Sequence, residues 1–380
     1  MKKKFVMIFG IIFLLFCIYN MFLPSVEFLE NENRYGAKMP EFTWKSLVSG
    51  EFTSGFEKYI TDKAAFRDFW VFAKSNTEKL IGKKDNNGVY FAKDNYLIDM
   101  FDNMDYTEIL DSNISAVNNL AKDSGLKVSF ALIPTAYEVL KDKLPMYAYH
   151  PYQQNVLGYT KDKLENVNFI NPYNILDSHK DEYLYYKTDH HQTANGSYYV
   201  YRDIMEKTGQ IPYSKEDFNI TTVSREFYGT TWSKTPLTVP GDSIIKYEPK
   251  FDVSYEVVYD LSEKSDSLYN EKNIAIKDKY TYYLDGNHGI TTIKTTLGKQ
   301  NEKLGEKIAI IKDSYAHSII PYLANHYSEI TVFDLRYYNF SIPAYLEENE
   351  IEEVLFIYNI DNFLEDNNLN KINVYLKNRQ

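Results

Sequence analysis

Two short stretches of this sequence hold side chains that can act together as a proton relay. In Lys187-Thr188-Asp189-His190-His191-Gln192-Thr193 an Asp and a His stand two residues apart, so in extended chain both leave the same side of the backbone. A carboxylate at Asp189 can fix the tautomer of an imidazole at His191. That imidazole can take the proton of a hydroxyl and return it to a leaving group. The hydroxyl is offered by Ser314 in Ile311-Lys312-Asp313-Ser314-Tyr315-Ala316, where an apolar run ends and a helical pattern begins. Backbone N–H groups after the serine, Tyr315 first, would lie at a helix start and could stabilise an oxyanion. Neither stretch is specific alone, since Asp-x-His spacings are common and Asp-Ser pairs after strands are more often plain helix caps. The signal lies in their pairing, and the chemistry it describes is acyl transfer through a Ser-His-Asp triad.

A rival nucleophile is Ser243, because Gly241-Asp242-Ser243 is a literal Gly-Asp-Ser. Pro236 and Pro240 precede it and a strand pattern, Ile244 to Tyr247, follows it, so the strand-then-helix setting is missing. Ser314 is preferred. Asn287, in Leu284-Asp285-Gly286-Asn287-His288, could donate to an oxyanion or simply belong to a hairpin turn. Arg336 follows a strand end and either meets substrate or pairs with Asp334. Thr135 and Tyr137 follow another strand end and are expected in a cleft wall. Asp-His-His also marks metal-dependent phosphoesterases, but those need companion Asp motifs that are not apparent. No metal and no cofactor is expected.

The elements that must position these groups read as an α/β pattern. Lys127–Ile133, Val167–Ile170, Lys307–Ile311, Ile330–Phe333 and Val354–Tyr358 are short apolar runs suited to buried strands. Helical stretches alternate with them: one capped by Thr193 and running to Gly209, one over 315–327, one around 343–351. Such alternation favours a mainly parallel sheet with helices on both faces, whose ligands sit beyond the carboxyl ends of the strands. Residues 51–83 read as helical, with Phe66 to Phe72, Leu80 and Ile81 in an apolar stripe. Gly88–Ile98 reads as a hairpin turning at Asp94-Asn95.

At the N-terminus Lys2, Lys3 and Lys4 precede Phe5–Leu23, which has no charged side chain and approaches the roughly 20 residues a membrane helix needs. The lysines belong on the cytoplasmic side, leaving the rest outside. An anchor is preferred to a cleaved signal because no small-x-small site closes the run. The expected organisation is therefore an anchor over 1–24, a stalk over 25–50, and one extracytoplasmic domain over 51–380 with a β-rich insertion at about 210–300. Cys17 is the only cysteine and lies in the apolar run, so a disulfide, a thiol nucleophile and a cysteine zinc site are excluded from the exported part. A net charge of −11 argues against nucleic acid as a partner. The 35 Tyr and 23 Phe suit a sugar-binding surface and equally suit a low-GC genome.

The stretches Tyr186–Thr193 and Ile311–His317 resemble the DHHW family of bacterial surface proteins and, more distantly, the SGNH-hydrolase-like domains of the alginate O-acetylation proteins AlgJ and AlgX. The similarity extends over Phe56–Ile98, Phe227-Tyr228-Gly229-Thr230, Tyr283–His288 and Val332–Arg336. The resemblance implies Asp189 as acid, His191 as base, Ser314 as nucleophile, and His190 as a bystander. It also implies an SGNH-type O-acetyltransferase or esterase in the cell membrane, acting on a cell-surface polysaccharide with an integral-membrane acyl donor as partner. Two residues depart from the pattern. Gln192 stands where Trp is expected, and Lys312 where many SGNH proteins have Gly, which puts the oxyanion site in question. A non-catalytic glycan-binding or scaffold protein on the same fold is the competing expectation.

Overall fold

The computed structural model describes residues 2–32, 34–101, 107–122, 126–298 and 304–377. The chain forms two compact units, one of residues 1–87 with 232–239 and the other of residues 88–231 with 240–380.

The first unit begins with α1 (Lys2–Met21), whose stretch Lys4–Met21 is long and apolar enough to cross a membrane and is buried nowhere. Three helices follow: α2 (Trp44–Val48), α3 (Glu51–Asp62) and α4 (Arg67–Leu80). The sequence reads one helical stretch over 51–83, whereas the structure turns a corner at 63–66. Phe66 adopts a left-handed φ of 56° there. Asp62 is buried at the corner and accepts two bonds from the Arg34 guanidinium, at 2.7 and 2.9 Å, and one from the Ala37 N–H at 2.8 Å. A two-pronged Arg–carboxylate pair is directional as well as strong, and here it pins α3 against the chain that leaves α1.

The second unit is built on an eight-stranded sheet. After the hairpin β1 (Val89–Phe91) and β2 (Leu97–Asp99), which turns through left-handed Asp94 and Asn95, come α5 (Thr107–Ala121), β3 (Lys127–Ile133), β4 (Asn168–Ile170) and α6 (Ala194–Lys207). Next are β5 (Phe218–Phe227), β6 (Asp242–Pro249), β7 (Val253–Tyr259), β8 (Glu263–Ser265) and β9 (Ile290–Leu297). The chain ends with β10 (Gly305–Lys312), β11 (Tyr327–Phe333), β12 (Glu353–Asn359) and short helices. The sheet order is β8-β7-β9-β11-β10-β12-β3-β4. The last five are mutually parallel, and the first three join antiparallel.

The sheet is therefore mixed rather than mainly parallel. Residues 210–300 supply three of its strands, as well as the β5–β6 pair. Apolar alternation marks a strand but carries no direction, so the sequence could not distinguish added strands from a separate lobe. The parallel strands are buried on both faces, with Ile308, Ile310, Leu355 and Ile357 in one core and Ala309, Ile311, Val354 and Phe356 in the other. Such two-sided burial is why these strands read as unbroken apolar runs.

Candidate active site

Ser314 leaves the carboxyl end of β10. From Ile308 to Asn325 every residue is buried except Ser314, so the fold exposes one hydroxyl from an otherwise sealed segment. Asp313 makes this turn. Its Oδ1 accepts the Tyr315 N–H at 2.9 Å, and its Oδ2 accepts the Asn359 N–H, the Asn359 amide and the Asn362 amide at 2.7–2.9 Å. The turn is a 3₁₀ segment, Ser314–Ser318, followed by a single helical turn, Ile320–Leu323. The helix expected over 315–327 is thus cut short: Pro321 brings no N–H to it, and β11 begins at Tyr327.

The partner loop delivers the other two groups. His191 Nε2 lies 2.8 Å from Ser314 Oγ, and His191 Nδ1 lies 2.6 Å from Asp189 Oδ1. Asp189 also accepts the His191 backbone N–H at 2.9 Å, and its Oδ2 accepts the N–H and hydroxyl of Thr230 at 2.8 and 3.0 Å. With its proton committed to Asp189, Thr230 Oγ1 accepts from His190 Nδ1 at 2.6 Å. Gly229 permits this close approach, because a Cβ there would stand 2.2 Å from Asp189 Oδ2.

The electrostatics fit a relay. Burial opposes charge on Asp189, but the imidazoles of His191 and His190 and the bonds donated by His191 outweigh it, and the carboxylate ionises well below the usual range. Burial, with His190 alongside, lowers His191 to about 4 against the pull of Asp189. At neutral pH His191 is therefore the neutral tautomer, protonated on Nδ1, with the Nε2 lone pair facing the Ser314 hydroxyl. The Tyr280 ring stacks on the imidazole at 3.7 Å and 10°, and its hydroxyl donates to the Ser314 carbonyl at 2.9 Å. The ring plane and the serine backbone are thus fixed by one residue.

The structure places the remaining sequence candidates as follows. The Tyr315 N–H is taken by Asp313, so it is not available to an oxyanion, and the Tyr315 hydroxyl donates to the His190 carbonyl at 2.5 Å. Arg336 holds Asp334 through Nε and Nη2 at 2.8 and 2.6 Å and also reaches Asn287 Oδ1 at 3.1 Å. Tyr137 is buried, its hydroxyl donating to the Ala148 carbonyl and accepting from the His150 N–H. It is a core residue and not a cleft wall. Thr135 is buried as well and bonded to Gln153 through both its N–H and its hydroxyl. Gln192 is fully buried, in a bridge opposite Tyr185.

Lys312, two residues before Ser314, is buried, its ammonium donating to Asp334 Oδ2 at 2.8 Å and to His317 Nε2 at 2.7 Å. Burial, with the Lys312 ammonium beside it, keeps His317 neutral, so its ring can accept. The arrangement makes Lys312, Asp334 and Arg336 one charge cluster, with the Arg336 guanidinium at its partly exposed end. The Asp334–Arg336 pair is the one the sequence offered for Arg336, whereas Tyr280 had no individual signal and the bond of Thr230 to Asp189 exists only between distant segments. Among the described residues, Asp189, His190 and His191 also form a group with donor atoms within 4.8 Å of one another. His191 already spends both ring nitrogens, on Asp189 and Ser314.

Fold and site together define an α/β protein in which an aspartate, a histidine and a serine are hydrogen-bonded in series at the carboxyl edge of its sheet. The DHHW protein family matches residues 88–333, well over half of the chain, and the chain belongs to that family. It is similar in fold to a DHHW family protein from Eubacterium siraeum (22% identity, TM-score 0.62, covering 76% of this chain and 96% of that one). It is likewise similar to Bacillus cereus PatB1, solved with a sulfonyl adduct (24% identity, TM-score 0.61, covering 75% and 98%). The O-acetyltransferase domain of Pseudomonas putida AlgJ is a more remote likeness (13% identity, TM-score 0.48, covering 78% and 100%). No curated protein sequence matches the chain.

Proposed function

We propose that this protein is a membrane-anchored, extracytoplasmic SGNH-type acyltransferase or esterase, acting on a cell-surface polysaccharide through Ser314, His191 and Asp189. The observation that carries the reading is the unbroken relay from carboxylate to imidazole to a partly exposed hydroxyl, at 2.6 and 2.8 Å. In the first half-reaction Ser314 Oγ attacks the acyl carbonyl carbon and its proton passes to His191 Nε2. The tetrahedral intermediate then expels the donor's leaving group, which takes that proton. In the second, a sugar hydroxyl or water attacks the acyl-serine, with His191 again as base, and Ser314 is released. Asp189 remains ionised and stabilises the imidazolium. Transfer to a glycan supplied by an integral-membrane acyl donor rests on the sequence resemblance to alginate O-acetylation proteins, and the anchor rests on α1.

One observation favours the non-catalytic alternative, a glycan-binding or scaffold role: the N–H after the serine is occupied by Asp313. The test is to treat the full chain with an aryl sulfonyl fluoride and with an aryl acetate, beside Ser314→Ala and His191→Ala variants. Sulfonylation confined to Ser314, with acetate turnover lost in both variants, supports the enzyme. Equal turnover in all three would remove the relay from the mechanism.

A further inference from the structure

The helix α4 is turned the wrong way round for a protein surrounded by water. Phe66, Phe69, Trp70, Ala73, Thr77, Leu80 and Ile81 recur at three- and four-residue spacing and form one stripe along it. The stripe faces outward: Phe66 is 72% exposed, Phe69 59%, Trp70 54%, Leu80 85% and Ile81 78%. Three of its polar residues, Arg67, Ser75 and Asn76, are instead turned toward the protein, while Asp68, Lys74 and Lys79 are exposed. Ser75 is buried and its hydroxyl accepts from Asn86. Asn76 bonds the backbone at Pro236 and both donors of Thr238, and Arg67 pairs with Glu32 at 2.5 Å. An uncovered apolar face of this kind marks a contact surface.

The stripe begins where α1 ends. The Ala65 N–H donates to the Asn20 side chain at 2.7 Å, and the Lys63 ammonium donates to the carbonyls of Met21 and Leu23 at 3.3 Å. Phe66, the first residue of the stripe, follows directly. If α1 crosses a bilayer, its last turn lies at the headgroup level, and the α3–α4 corner is bonded to that turn. Aromatic rings gather at that depth because they have an apolar body with a polar edge. Trp70 fits this pattern, with its indole N–H bonded to the Ala65 carbonyl. Lys74 stands one turn beyond Trp70, and Lys83 and Lys84 follow Ile81. Lys83 pairs with Glu78 at 3.4 Å, and Lys74 and Lys84 supply positive charge of the kind that draws such helices to anionic lipids.

We propose that α4 is an interfacial helix, with Phe66, Phe69, Trp70, Leu80 and Ile81 seated in the outer headgroup region of the membrane that α1 spans. The partner is the lipid surface itself. Over fourteen residues the helix spans about 21 Å, so the chain is held by a transmembrane segment and by a bar lying beside it. The inference rests on the anchor reading of α1, and the experiment separates the two.

The full chain carries one cysteine, so a Cys17→Ser background accepts single nitroxide labels. The labels go at Phe69→Cys, Trp70→Cys, Leu80→Cys, Lys74→Cys, Lys79→Cys and Ile12→Cys. Each variant is reconstituted in vesicles of equal parts phosphatidylcholine and phosphatidylglycerol, and depth is read from relaxation by oxygen against a water-soluble nickel chelate. The expected result is lipid-like oxygen exposure at 69, 70 and 80, at a depth of about 5–10 Å, with 74 and 79 in water and 12 deep in the bilayer. Water exposure at 69, 70 and 80, with 12 still in lipid, overturns the interfacial helix and leaves the anchor standing. Shielding of the stripe from both reagents overturns it in favour of a covering protein or second copy. Water exposure at 12 removes the anchor and the lipid-bound helix with it.

Discussion

Two Asp-Ser pairs in this chain share the task of their aspartates and differ in the place of their serines. At Asp313-Ser314 the aspartate is a knot for the turn, accepting from Tyr315, Asn359 and Asn362, and the serine is carried to His191. At Asp242-Ser243 the aspartate is again a knot, buried and accepting from the Lys187 N–H at 2.9 Å, the Thr188 N–H at 2.7 Å, the Thr188 hydroxyl at 2.5 Å and the Tyr183 hydroxyl. The serine beside it, however, stays within β6, paired against β5. The loop that Asp242 ties down is the one bearing Asp189 and His191. The literal Gly-Asp-Ser therefore holds, through its aspartate, the loop that bears Asp189 and His191, while the altered Lys-Asp-Ser carries the serine that meets the imidazole. A three-letter motif reports that a buried aspartate organises a turn; the strand that precedes it decides whether the serine reaches a base.

The comparison can be broken at each residue. Ser314→Ala should have the largest effect, a loss of about a million-fold in kcat on an aryl acetate, effectively to background; a residual rate near wild type would place the nucleophile elsewhere. Asp189→Asn should cost about ten-thousand-fold, because the amide favours the wrong imidazole tautomer. Asp242→Asn sharpens the contrast. One amide oxygen cannot replace two carboxylate oxygens, so the amide NH₂ must confront the N–H of either Lys187 or Thr188. At about 1–3 kcal/mol for such a mismatch, kcat should fall about 10–100-fold with KM little changed, a split that simple unfolding would not produce. The relay also fixes the acid limb: His191 must be unprotonated to accept from Ser314, so kcat/KM should stay level through neutral pH. It should fall about tenfold per unit once pH drops below about 4, and a midpoint near 6.5 would mean that His191 is not held as described. Ser243→Ala, at the other end, should alter turnover by less than about twofold, and a large loss there would reverse the assignment.

Much of the frame was legible because it depends on local rules. The buried runs of β3, β10, β11 and β12, the turn at Asp94 and Asn95, and the cap at Thr193, whose hydroxyl accepts the Gly196 N–H, follow from periodicity and turn chemistry. The apolar stripe of α4 was legible too, but not its outward direction, since a hydrophobic pattern gives a face and not what lies against it. Most of the supporting cast at the site was not legible. The pairing of Arg336 with Asp334 was among the expectations, but the contacts of Thr230 with Asp189, Tyr280 with His191, Asp242 with Thr188 and Asp334 with Lys312 exist only once folding brings those segments together. The expected oxyanion donor at Tyr315 fails for the same reason, as Asp313 claims that N–H once the turn closes.

By itself the sequence determined which side chains could pass a proton, where the buried strands run, and that one N-terminal segment is apolar enough for a bilayer. Tertiary structure alone decided the mixed direction of the sheet, the alignment of Asp189, His191 and Ser314, and which serine of two meets the imidazole. The division has a physical cause. Side-chain chemistry and backbone propensity act over a few residues, whereas hydrogen-bond geometry between segments more than a hundred residues apart exists only after the cores on both faces of the sheet have closed.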